Sequence, residues 1–226
     1  MDYDTRNAYD DPLPHETPEA RKRRQQRIQR NRKIIRDLLP RLRTLIADPD
    51  RDPEDVFQLF RPYHLETDDV PMTDDDLPEL HALCRLILEK RGLEQHEIQR
   101  VLLRLIGSTA SPASVPFLLE MLHYSRRGDS FGPERRRLAL WGLARIAIAH
   151  NVPAAYAALR EGLKDRHADV RYTTADLILN AYLDADREVP DDVVATLKTM
   201  AASDPDEDVQ RAAKRYLREP WAQNEG

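Results

Sequence analysis

The sequence predicts an all-α protein, a short α-solenoid of about four helical hairpins with an N-terminal basic helix and a disordered acidic tail ahead of them. Three observations lead there. Of the 226 residues, 33% are charged and 41% hydrophobic but only 6% aromatic, a balance that favours stacked helices over a sandwich or barrel. Apolar residues recur at helical spacing through the second half of the chain. The pair Asp169-Val170 returns as Asp208-Val209, 39 residues on, and a period of 35 to 40 residues suits an array of helix pairs.

Residues 1–16 hold Asp2, Asp4, Asp10, Asp11 and Glu16 with Pro12 and Pro14 and no aliphatic periodicity, so a disordered acidic tail is expected. Tyr3 and Tyr9 are possible anchors in it. Thr17-Pro18-Glu19 supplies an N-cap, a first-turn proline and an acid at the positive helix end. A basic amphipathic helix over 17–47 follows, with Pro40 as a candidate bend. Between Arg21 and Arg43 it carries eleven Arg or Lys residues against Asp37 alone. Ile28, Ile35, Leu38, Leu42 and Leu45 give its second half an apolar stripe that its first half lacks. The second half is therefore expected to pack and the first to project.

The stretch 48–72 reads as an acidic, proline-rich linker with a short helix from Pro53 to Phe60. The repeat domain is expected over 73–219. Leu80, Leu83, Cys84, Ile87 and Leu88 mark its first helix, ended by Gly92, and Ile98, Val101, Leu102, Leu105 and Ile106 its second, ended by Gly107. Ser111-Pro112 opens a helix with Val115, Leu118, Leu119 and Leu122 on one face, and a partner runs from about Pro133 to His150. Pro153 and Pro190 open two more first helices. A tail, 220–226, contains Trp221 and closes the chain.

The segment Leu163-Lys-Asp165-Arg-His-Ala-Asp169-Val170-Arg171-Tyr-Thr-Thr-Ala175 resembles the turn and second-helix start of a bacterial HEAT repeat, and Ala202-Ser-Asp204-Pro-Asp-Glu-Asp208-Val209-Gln210-Arg-Ala-Ala-Lys214 repeats it. Glu134-Arg-Arg-Arg137-Leu-Ala-Leu-Trp-Gly-Leu143 is similar without the Asp-Val, whereas 74–107 resembles the family only in shape. Such repeats imply a scaffold or adapter that presents a concave face to another macromolecule.

Catalytic signatures do not accompany the pattern. A lone cysteine, Cys84, permits no internal disulfide and no thiolate zinc cluster. His81 and Cys84 stand one turn apart without a second ligand pair, and His96-Glu97 lacks the matching pairs that HEAT-like iron hydroxylases repeat. Trp141, Tyr172 and Asp176 are residue types used by HEAT-like DNA glycosylases, but no motif links them, and Trp141 is expected in the core. Asp165, Asp169, Asp204 and Asp208 are read as caps and turn formers. No nucleophile elbow or phosphate loop is present. No cofactor and no metal are expected, and an enzyme on this fold is the least favoured reading.

Two basic sites remain. Arg21, Lys22, Arg23, Arg24, Arg27, Arg30, Arg32 and Lys33 form the first. It is a solvated face beside the chain's own acids, a surface for an anionic protein, or an arginine-rich helix for nucleic acid through residues 21–36. Arg126, Arg127, Arg135, Arg136 and Arg137 form the second, five guanidiniums expected at one rim of the stack, either as forks for carboxylates or phosphates or, the reading slightly favoured, as cover for neighbouring repeats paired with nearby acids. The net charge of −5 argues against coating of nucleic acid by the whole surface. Without a long apolar span or an apolar leader, no membrane association and a cytoplasmic setting are expected. The expected function is a non-catalytic adapter for a partner protein, with nucleic-acid association as the alternative.

Overall fold

The computed structural model describes residues 17–48, 55, 59, 72–89 and 94–218. The tail 1–16 expected to be disordered, the short helix expected at 53–60, Gly92 and Trp221 lie outside these residues, apart from Asp55 and Leu59. Among the described residues there are nine α-helices and no strand, so the chain is all-α. No helix among them is long and apolar enough to cross a membrane. Two compact units divide between Ser114 and Val115.

The first unit contains α1 (Pro18–Ala47), α2 (Leu77–Leu88) and α3 (Glu94–Ser108). The helix α1 starts as its sequence dictates: the Thr17 hydroxyl accepts the Ala20 amide at 3.2 Å, Pro18 occupies the first turn, and Glu19 faces the positive end. It runs through Pro40 to Ala47. Its buried stripe is Ile28, Ile35, Leu38, Leu39, Leu42 and Ile46, so Ile46 takes the place expected for Leu45. This stripe lies on the second half, which packs on α2. Arg36 grips Asp76 with Nε at 2.6 Å and Nη2 at 3.0 Å, and Arg43 grips Glu79 at 3.0 and 2.6 Å. The hairpin expected to open the repeat domain thus shares a unit with the basic helix, because its acids and leucines complete that helix's second half.

The hairpin α2–α3 buries Leu80, Leu83, Cys84, Ile87, Ile98, Leu102, Leu105 and Ile106. Its second helix ends at Ser108 rather than Gly107, and the left-handed residue that turns the chain is Ala110, at φ 50°.

The second unit is three consecutive hairpins: α4 (Val115–His123) with α5 (Gly132–His150), α6 (Pro153–Gly162) with α7 (Ala168–Leu183), and α8 (Asp191–Ser203) with α9 (Glu207–Tyr216). The second helices α5, α7 and α9 pack side by side in that order. On α4, Phe117 and Met121 are buried with Val115, Leu118 and Leu122, and Leu119 is half-buried. Asn151 ends α5 in the left-handed region at φ 52°, a conformation asparagine tolerates well.

Neighbouring hairpins are joined by a repeated arginine fork. Arg136 on α5 donates to the carboxylate of Asp165 in the α6–α7 turn at 2.6 and 2.9 Å. Arg171 on α7 does the same to Asp204 in the α8–α9 turn at 2.8 and 2.6 Å. Each aspartate also shapes its own turn, Asp165 accepting the His167 amide at 2.8 Å and Asp204 the Asp206 amide at 2.9 Å. The turn-forming role expected for these two therefore holds, with a second role added. Asp169 and Asp208 are first-turn acids rather than caps, and the side chain that caps α9 is Asp206.

Candidate functional site

The N-terminal half of α1 buries Ile28 alone and exposes most of its other side chains. At 100° per residue, Lys22, Gln26, Arg30 and Lys33 lie opposite Ile28, Ile35 and Leu42, with Arg23 and Arg27 beside them. All six are exposed. From Lys22 to Lys33 the stripe is about 16 Å long at the rise of an α-helix. Lys33 pairs with Asp37 at 2.7 Å. Arg21, Arg24 and Arg32 are half-buried. Of the eleven cations on this helix, Arg36 and Arg43 are committed to the pairs with Asp76 and Glu79.

In the second unit side chains of α5, α7 and α9 are linked into one layer across the three hairpins. Arg137 Nε donates to the Thr173 hydroxyl at 3.0 Å, and the Tyr216 hydroxyl donates to Asp176 at 3.2 Å. Trp141, expected in the core, is half-buried on this layer with the Arg145 guanidinium 5.1 Å from its ring centre. An apolar helix need not bury every large residue; position 141 shares one stripe of α5 with Arg137 and Arg145, one turn before and after it, and all three are half-buried. Tyr172 is 39% exposed. Burial pushes the Tyr216 hydroxyl up, as does the nearby Asp176 charge, while Arg215 pulls it the other way. It stays a neutral donor to that carboxylate.

The five arginines of the second basic site do not share one rim. Arg135 is 1% exposed, bonded to Asp129 and stacked 4.6 Å from the Tyr124 ring centre. Arg136 is buried in its pair with Asp165. Arg137 is half-buried, bonded to Glu134 at 2.8 Å as well as to Thr173. Successive helical residues point 100° apart, so three neighbouring arginines serve three directions. Arg126 and Arg127 remain exposed on the loop before α5. They line an open depression with Ser125, Asp129, Ser130 and, from the α6–α7 turn, Arg166. Sequence reasoning missed Arg166, a single arginine in a turn that carries no pattern of its own.

Among the described residues no group of three His, Cys, Asp or Glu side chains is arranged to hold a metal ion. Cys84 is fully buried and His81 half-buried. No family of known proteins, no curated protein and no solved structure matches this chain.

Proposed function

We propose that the protein is a non-catalytic adapter of the HEAT-like solenoid kind, holding a partner protein through the linked layer of α5, α7 and α9 and through the exposed half of α1. The observation that carries this reading is the layer itself. Side chains on three successive hairpins are tied together by Arg137–Thr173 and Asp176–Tyr216, with Trp141 and Tyr172 presented among them. Aromatic and arginine side chains held in place lose little freedom on binding and dominate protein interfaces. The exposed stripe of α1 adds a cationic surface suited to an anionic partner. The buried thiol of Cys84, the one cysteine of the sequence, suits a reducing, cytoplasmic setting.

The reading is tested by affinity purification from native cells of three full-length chains: wild type, Trp141→Ala with Tyr172→Ala, and Arg23, Arg27 and Arg30→Glu. A stoichiometric protein partner should accompany the wild type and be lost from the aromatic variant. A wild-type chain that purifies alone, or a partner recovered equally with all three, overturns it.

A second reading, nucleic-acid association, is favoured by one observation: the stripe of Lys22, Arg23, Arg27, Arg30 and Lys33 includes the exposed amide Gln26 and no apolar residue. About six phosphate contacts would make log affinity fall with log salt at a slope of roughly −4 to −5. Affinity independent of salt, or unchanged by the glutamate substitutions, removes it.

A further inference from the structure

The depression beside the α4–α5 loop has the makings of an oxyanion site. The loop is fixed from below: Arg135, buried beneath Tyr124, holds Asp129, and the Asp129 amide donates to the Arg126 carbonyl at 3.2 Å. Gly128 turns the chain at φ 78°, with nothing within 4 Å of where a Cβ would stand. Above this base, Arg126, Arg127 and Arg166 line one cavity with the hydroxyls of Ser125 and Ser130. Among the described residues no carboxylate pairs with Arg127 or Arg166. The one acid in the lining, Asp129, is committed to Arg135.

We propose that this depression binds a phosphate monoester dianion. The charge and geometry select that class. A single carboxylate ligand would balance only one of the two guanidiniums, Arg127 and Arg166, that no carboxylate pairs with among the described residues, whereas a monoester brings nearly two negative charges and three terminal oxygens able to take N–H pairs. A phosphate diester offers one charge and two free oxygens and suits an extended track more than a cup. The exposed Ser125 hydroxyl in the same lining adds a donor. Loop anchoring by Arg135 means that little ordering is needed when the ligand arrives. The phosphate could belong to a phosphorylated side chain on a partner or to a small metabolite. Only the first source rests on the adapter reading, and loss of the protein partner in the purification above leaves the phosphate titration intact.

The test is a titration of the full chain, followed through the backbone amide signals of residues 125–130 and 166. The probes are phenyl phosphate, dimethyl phosphate, and one short serine peptide in phosphorylated and unphosphorylated forms. Phenyl phosphate should move these signals, and its affinity should rise from pH 5 to 7 as the second phosphate proton, pKa about 6, leaves. Dimethyl phosphate and the unphosphorylated peptide should not move them. Stronger binding of the phosphopeptide than of phenyl phosphate assigns a partner side chain, and the reverse assigns a small ligand. Arg127→Ala with Arg166→Ala, two exposed sites, should weaken binding at least tenfold without changing the circular dichroism spectrum. Equal response to mono- and diester, or affinity unchanged in the double variant, overturns the proposal.

Discussion

The guanidinium of Arg171 closes on the carboxylate of Asp204 with Nε at 2.8 Å and Nη2 at 2.6 Å, joining the second hairpin of the second unit to the third. Its remaining nitrogen, Nη1, donates to the Asp165 carbonyl in its own hairpin's turn at 2.9 Å. One side chain therefore satisfies two turns. Gln210, which holds the corresponding place on α9, keeps only the second contact, donating to the Asp204 carbonyl at 2.8 Å. Both members of the Arg171–Asp204 pair are nearly withdrawn from solvent, with 11% and 5% of their side chains exposed. Removing one partner of such a pair strands the other in a poorly hydrated site and typically costs about 3–5 kcal/mol. Arg171→Ala should lower the stability of the second unit by that order. Urea denaturation followed by hydrogen exchange in α8 and α9 measures it, and amides there should lose protection first.

Acid should act through the same carboxylate. Burial pushes Asp204 up, but the Arg171 guanidinium, the Asp206 amide and the Arg171 charge outweigh it and hold the carboxyl below its ordinary value. A folded pKa below the unfolded value of about 3.9 adds stability that is full above that value and is lost as pH falls through the folded one. Asp76 behaves likewise in the first unit: burial raises it, and the bonds from Arg36 and Thr73 bring it lower. The wild-type protein should thus hold its stability from pH 7 to about 5 and lose it steeply below about 4. Asp204→Asn should be weaker at pH 7 and show a smaller further loss on acidification, as read by denaturant titration at each pH.

How much of this was legible depends on whether a residue acts within its own segment. The N-cap of α1, its apolar stripe, and the starts of α5 to α9 follow from local spacing, and the structure has them within a residue or two. The recurrence at 39 residues marked the turns that hold Asp165 and Asp204. What those aspartates grip was hidden, because Arg136 stood in a run of three arginines and only the helix phase separates their roles. Ile46 in place of Leu45, and Trp141 only half-buried, depend on which side of a helix its neighbours cover. A single segment does not encode that. Arg166 came to the basic loop through the fold, from 36 residues beyond Ser130.

Gly162 is a second feature that only packing explains. A Cβ built on it would lie 2.8 Å from Leu140 Cδ1 on α5 and 2.8 Å from Thr174 Oγ1 on α7. Thr174 is fully buried, and its hydroxyl is fixed to the Val170 carbonyl at 2.6 Å, so it has little room to yield. Gly162→Ala should therefore destabilise the second unit by about 1–3 kcal/mol, although alanine is the better helix former. Thermal unfolding of the variant checks the sign, and a gain in stability would mean that Leu140 and Thr174 can move apart.

The basic helix divides into residues that hold the fold and residues that do not, and substitutions should separate the two. Arg36 bonds to both Thr73 and Asp76, and Asp76 is 8% exposed. Arg36→Ala leaves that carboxylate without its guanidinium and should cost about 1–3 kcal/mol. Arg23, Arg27 and Arg30 are exposed on a helix crowded with like charge. Replacing each by alanine should change stability by no more than about 0.5 kcal/mol, since surface sites away from buried networks are nearly neutral. Alanine also relieves repulsion between cations one turn apart, such as Arg23 and Arg27. Hydrogen exchange along α1 distinguishes the cases: Arg36→Ala should deprotect amides near Leu38 and Leu39, and the triple variant should leave them unchanged. A triple variant that lost partner binding while keeping that protection would place the interaction on the exposed stripe, whereas equal loss of protection in both variants would make the arginines structural.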